Sequence, residues 1–160
     1  MSIVSKTLLD TTGIRIPQDA FVLIVRTEWN AHVVDLLEEG CRAMLEKHNV
    51  KFETITVPGA FEMGFAIRQH ALYSSQKANA YIALGCVIKG DTPHFDYVCR
   101  AATDQATSLN LSLDVPVVFG VLTVLDQMQA DERTGGRHGH KGEEAAATAI
   151  KMIGLKQALK

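Results

Sequence analysis

The sequence predicts a doubly wound α/β sandwich, a four-stranded parallel sheet between two layers of helices. Three observations carry that expectation. Short β-rich runs alternate with longer helical patterns, the β-rich runs are almost unbroken apolar stretches, and turn-forming residues follow them. Unbroken apolar runs describe strands buried on both faces, which is what a parallel sheet with right-handed crossovers produces. A chain of 160 residues that is 47% hydrophobic and 21% charged can build such a core without a disulfide or metal staple.

Taken in order, residues 1 to 19 lack periodicity and read as an arm ahead of a single domain spanning 20 to 160. FVLIVRT at 21 to 27 is the first strand. In the covering helix that follows, Val33, Val34, Leu36, Leu37, Ala43, Met44 and Leu45 recur at helical spacing, with Glu38, Glu39, Arg42 and Glu46 opposite. FETITV at 52 to 57 is the second strand and the stretch from Phe61 to Tyr73 its helix. AYIALGCVI at 80 to 88 and a helix from about His94 to Leu109 follow, then VPVVFGVLTV at 115 to 124. A short helical stretch from Asp126 to Glu132 precedes a glycine-rich run, read as a flexible turn, and an alanine-rich helix from Glu143 to Ile153 with Ala146, Ala149, Ile150 and Ile153 on one stripe.

Charge excludes some functions. Sixteen basic against eighteen acidic residues leave a net charge of -2, so no global field favours nucleic acid or an anionic membrane, and any anion site is local. No run of about 18 apolar residues offers a membrane span. Cys41, Cys86 and Cys99 are odd in number and form no CxxC pair, which suits a reducing cytoplasm and identifies them as buried small hydrophobes.

In a doubly wound sheet the chemistry belongs at the carboxyl ends of the strands. The first strand ends in Arg26-Thr27-Glu28-Trp29-Asn30; Asn30 suits a helix N-cap, and a turn there either buries the only tryptophan or leaves its indole open to a flat ligand. Val57-Pro58-Gly59-Ala60-Phe61-Glu62 turns at the second strand's end, where Glu62 also complements the next helix dipole. After the third strand, Lys89-Gly90-Asp91-Thr92-Pro93-His94 reads as a capped helix start able to hold an anion, with His94 close enough to move protons; a solvated histidine on a capped helix is the plainer alternative. His138 and His140 are two ligands with no third, short of a metal site, and His32, His48 and His70 are surface or core-edge residues.

VPGAFE at 57 to 62, GCVIKGDTPHFDYVC at 85 to 99, PVVFGVLT at 116 to 123 and ER-x-G-x-x-x-G-x-KG at 132 to 142 stand in the order found in the 6,7-dimethyl-8-ribityllumazine synthases, and the chain resembles that family from about Ala20 to Leu155. The resemblance implies a flavodoxin-like fold. It also implies condensation of 5-amino-6-(D-ribitylamino)uracil with 3,4-dihydroxy-2-butanone 4-phosphate, the penultimate step of riboflavin biosynthesis, without cofactor or metal. Carried over to this sequence, Trp29 stacks on the pyrimidine with Asn30 as helper, and Ala60, Phe61 and Glu62 receive the ribityl chain and ring edge. The backbone of Cys86, Val87 and Ile88 meets the ring, Phe119 also contacts the ribitylaminouracil, His94 transfers protons, and Asp91, Thr92, Arg133 and Lys141 bind the phosphate.

The family's site lies between adjacent subunits of a pentamer, so the resemblance assigns Phe119, Arg133 and Lys141 to the neighbour and makes the arm from Ile3 to Ile16 an added strand on the neighbouring sheet. TGGRHGHKG has the length of the shell-forming type, which points to about sixty subunits, with a pentamer or decamer as the alternative and riboflavin synthase as a candidate partner. Its residues depart from the usual Gly-Thr-Lys-Ala-Gly-Asn pattern, and Glu28-Trp29 replaces the Arg-Phe of many members. Trp29 enlarges the stacking surface; Arg26 is the residue that could replace the missing arginine at the rim. Two other readings stand beside the synthase: a flavin or lumazine carrier, which needs neither His94 nor Arg133, and a monomeric phosphate-binding module.

Overall fold

The computed structural model describes residues 6–160. After a helical turn α1 (Lys6–Leu9) come β1 (Phe21–Thr27), α2 (Ala31–Lys47), β2 (Lys51–Val57), α3 (Met63–Tyr73), β3 (Ala80–Ile88), α4 (His94–Ser112) and β4 (Val117–Val124). The short α5 (Gln127–Asp131), the hairpin strands β5 (Thr134–Gly136) and β6 (Gly139–His140), and α6 (Lys141–Ala158) complete the chain.

The four long strands are all parallel and ordered β2-β1-β3-β4, the flavodoxin-like order in which the chain reverses direction across the sheet between β1 and β3. β1 and β3 read as unbroken apolar runs because helices cover both faces. One face carries Val22, Ile24, Ile82 and Leu84 against Val34, Leu37 and Cys41 of α2 and Ala146, Ala149 and Ile150 of α6. The other carries Leu23, Val25, Tyr81 and Ala83 against Met63 and Ile67 of α3 and Ala102 and Leu109 of α4. β2 departs from the sequence expectation: as an edge strand it is buried only at Val57, and exposed Lys51, Glu53 and Thr56 alternate with half-buried residues.

Three further expectations are corrected. Leu36 and Ala43 of α2 face solvent, while Glu38, assigned to the polar side, is buried. Its carboxylate tolerates burial because the Arg26 guanidinium donates to Oε2 at 2.6 Å and the Thr54 hydroxyl to Oε1 at 2.8 Å. The arm does not run extended throughout: Lys6–Leu9 is helical, and Leu9, Ile14 and Ile16 pack on this chain's own core beneath α6, with Lys151 Nζ donating to the Thr7 carbonyl at 2.8 Å. Ile3 and Val4 lie outside the described residues. The glycine-rich run is not a loose turn but the β5–β6 hairpin, and α6 begins at Lys141, two residues earlier than its pattern predicts. Glu132 pins this hairpin through Arg137 at 3.1 Å and His138 at 3.5 Å, pairings that no hydrophobic period could reveal.

Among the described residues, no helix is long and apolar enough to cross a membrane.

Candidate active site

β3 outruns β1. Its register with β1 ends at Arg26↔Leu84, whereas its register with β4 continues to Ile88↔Val124. Past Leu84 the β1-facing edge of β3 therefore opens onto a cleft, at the point where the strand order reverses. The cleft is ≈ 470 Å³, in the range of small-molecule sites. Trp29, Asn30, Ala60, Phe61, Glu62, Cys86, Val87, Ile88 and His94 all line it. Thr27, Gly59 and Val98 line it too and were missed from sequence; Val98 stands one helical turn after His94, so the spacing i, i+4 was the signal that could have found it.

The turns that build the walls brace one another. Glu28 N–H donates to the Val57 carbonyl at 2.9 Å and Trp29 N–H to the Pro58 carbonyl at 3.2 Å, so the end of β1 is sewn to the end of β2. Asn30 occupies the N-cap position of α2 as predicted, but it adopts a left-handed conformation (φ 57°) and its side chain caps nothing. Instead its Nδ2 donates to the Cys86 carbonyl at 2.8 Å, tying β1 to the end of β3. Asn tolerates that backbone better than most residues, which accounts for its use here. Trp29 is consequently held outward, 73% exposed, and Phe61 stands 63% exposed on the other wall. The open reading of the indole is the one the structure adopts.

Burial pushes the Cys86 thiol up to about 11, so it stays protonated near neutral pH and is poorly suited to act as a nucleophile. Cys41 is held up to about 12, by burial first and by nearby Glu38 second. Both are buried small residues as predicted, while Cys99 is only half-buried. Arg26 does not reach the rim. Its guanidinium is held by Asp35 at 2.5 Å and Glu38 at 2.6 Å, so it cannot replace the arginine missing beside Trp29.

His94 opens α4, a 19-residue helix whose N-terminal backbone N–H groups and dipole favour an anion. Lys89, Asp91 and Thr92 are exposed in the turn just before it, and Thr92 Oγ1 accepts a long bond from His94 N–H at 3.4 Å. Asp91 and Thr92 are not among the residues lining the cleft; they adjoin it through His94.

The remaining predicted residues lie elsewhere. Phe119 and Lys141 share a separate cleft of ≈ 350 Å³ between β4, at the sheet edge, and α6, where Lys141 Nζ contacts both carboxylate oxygens of Glu144 at 2.7 Å. Arg133 lines neither cleft and donates to the Gln129 carbonyl at 2.8 Å.

The switch-point cleft, with its two exposed aromatic walls and a helix N-terminus beside them, defines a doubly wound α/β protein built to take a small molecule at its strand ends. A family model for 6,7-dimethyl-8-ribityllumazine synthase matches residues 19–157, and the chain belongs to that family. It is similar to 6,7-dimethyl-8-ribityllumazine synthases from Parabacteroides distasonis (50% identical, 81% of this chain and 82% of that one), Phocaeicola vulgatus (47%, 85% and 82%) and Porphyromonas gingivalis (45%, 88% of each). Among solved structures, a de novo designed Rossmann fold protein matches at a TM-score of 0.38 and 18% identity over 71% of this chain and 91% of that one, and the fold assignment rests on the strand order instead.

Proposed function

We infer that the chain condenses 5-amino-6-(D-ribitylamino)uracil with 3,4-dihydroxy-2-butanone 4-phosphate to give 6,7-dimethyl-8-ribityllumazine. The amine adds to the ketone and loses water to form an imine, phosphate is eliminated, and the ribitylamino nitrogen closes the second ring with loss of a second water. No covalent enzyme intermediate is needed. The protein's task is to hold two substrates in register and move protons, the kind of catalysis that positioning dominates.

The observation that carries this reading is the switch-point cleft, with exposed Trp29 and Phe61 as flat walls and His94 at a helix N-terminus on its rim. The pyrimidine stacks on Trp29, its edge meets the open edge of β3 at Cys86, Val87 and Ile88, and the ribityl chain runs over Ala60, Phe61 and Glu62. Phosphate sits on the backbone N–H groups at Asp91 and Thr92, where the helix dipole favours it. His94 exchanges protons with the reacting nitrogens.

One chain does not complete the site. We propose that a second copy supplies Phe119, Arg133 and Lys141 to this cleft in a pentamer-based assembly of up to about sixty subunits, an arrangement in which each chain gives one surface and receives another. The separation of the two clefts within one chain supports it, as do the exposed apolar side chains of Phe65, Tyr97 and Leu111 on the helices beside the site.

The test is a turnover assay with both substrates, following the fluorescent product above its spontaneous background. Arg133→Ala is expected to lower kcat/KM about 100-fold, as loss of a charged phosphate clamp does. Wild-type protein in its assembled form with no rate above background would reject the reading in favour of a lumazine or flavin carrier, and a monomer by light scattering would reject the shared site.

A further inference from the structure

The start of α3 carries a cap that does not come from its own turn. Gly64 is buried and is the second residue of α3, so its N–H is one of the orphan donors that an N-cap side chain ordinarily satisfies. Glu62 occupies the N-cap position but makes no such bond. The acceptor is Gln105 of α4, whose Oε1 receives Gly64 N–H at 2.7 Å while its Nε2 donates to the Phe61 carbonyl at 2.8 Å. One primary amide, with a donor and an acceptor side by side, thus satisfies a backbone N–H and a backbone C=O on either side of Glu62.

Glycine at 64 belongs to the same device. A Cβ there would run into the Gln105 side chain, within 2.9 Å of its Cβ and Cδ, so only glycine lets the amide approach the backbone. Glycine is otherwise a poor choice inside a helix. Because α4 supplies the cap, the Glu62 carboxylate is released from that duty and stays exposed on the cleft wall, and the Phe61 backbone is fixed although its ring is largely open to solvent.

We propose that Gln105 is a positioning residue for the heterocyclic substrate: by capping α3 from α4 it sets the Phe61–Glu62 wall against which that substrate lies. The proposal rests on the substrate assignment made above. It concerns one substrate only, since the phosphate-binding turn before α4 has no part in the clamp.

Steady-state kinetics of the assembled protein tests it. Gln105→Leu keeps most of the volume and removes both bonds; it is expected to raise KM for 5-amino-6-(D-ribitylamino)uracil about 5- to 20-fold, the usual effect of one or two lost hydrogen bonds, with KM for the ketone phosphate within about twofold of wild type. Gln105→Glu adds a readout that simple destabilisation would not move. Ionised, it still accepts from Gly64 N–H but cannot donate to the Phe61 carbonyl, so it keeps one of the two bonds and KM for the heterocycle rises less than in the Leu variant; protonated below about pH 4.5, its carboxyl again offers one donor and one acceptor, and its KM relative to wild type at the same pH should fall back. A rise shared equally by both KM values, or none, would overturn the proposal, and the Glu variant decides alone if the Leu variant does not assemble. Were the wild type inactive, the substrate assignment would fall instead, and hydrogen exchange at the Gly64 amide would still judge the clamp: faster exchange in the variant supports it, unchanged protection refutes it.

Discussion

Around the β1–β3 switch point one chain brings Trp29, Asn30, Ala60, Phe61, Glu62 and His94 into a common cleft, whereas on the far edge of the sheet Phe119 and Lys141 share a smaller cleft with none of them. The first region is braced from several elements: β1 to β2 through Trp29 N–H, β1 to β3 through Asn30, α3 to α4 through Gln105. In the second, Lys141 is held by Glu144 three residues along, while Arg133, which lines neither cleft, donates to the carbonyl of Gln129 four residues back. Bonds between elements thus fix the walls of the switch-point cleft, whereas the charged side chains of Lys141 and Arg133 are held by neighbours close in sequence.

The strongest way to break that contrast is complementation. His94→Gln disables the switch-point cleft and Arg133→Ala the clamp proposed to come from a second copy, and each alone should lose about 100-fold in kcat/KM. If the regions meet between copies, unfolding the two variants together and refolding them as a mixture restores activity toward about a quarter of wild type, the fraction of interfaces that draw an intact half from each chain. No recovery from mixed assemblies would mean that each chain uses its own Arg133.

A smaller effect probes what holds the second region. Gly142, beside Lys141, lies against the backbone of Leu37, and a Cβ there would collide with main chain that cannot swing aside. Gly142→Ala should therefore cost about 1–3 kcal/mol in urea unfolding, the usual cost of overpacking. An unchanged midpoint would show that α6 is free to shift on α2.

The least effect concerns the amino ends of the strands, opposite the end that holds the switch-point cleft. Burial holds the His70 imidazole below its ordinary value, with Lys77 acting the same way and Glu53 opposing, while His70 Nδ1 and the Tyr81 hydroxyl lie 3.0 Å apart. A lowered folded-state value means that the unfolded chain takes up the proton first, so the contribution to stability is complete above about pH 6.5 and is lost as pH falls toward the lowered value. His70→Gln should flatten that part of the stability profile measured by chemical denaturation and leave KM for both substrates unchanged.

The sequence made the sheet legible because helices on both faces leave central strands no reason to alternate, so β1 and β3 announce themselves as solid apolar runs. It also gave most of the cleft, since the residues at three strand ends are contiguous in the chain and a doubly wound order gathers those ends. What it hid depends on partners distant in sequence. Glu38 reads as a polar-face residue until Arg26 and Thr54 are seen beside it, and Gln105 is one polar residue among several on α4 until Phe61 and Gly64 face it. The β5–β6 hairpin hid for another reason: three glycines within its seven residues leave no side-chain pattern to read.

The strand order also bears on how the chain is made. β1 sits at the centre, and its partner on one side, β3, is synthesised only after α2, β2 and α3 have emerged. At about 5–20 residues per second, that leaves a nascent β1–α2–β2 unit on the ribosome for several seconds with one flank of its most apolar strand unpaired. Slower translation of the stretch before Ala80 would lengthen the wait before that flank of β1 is paired.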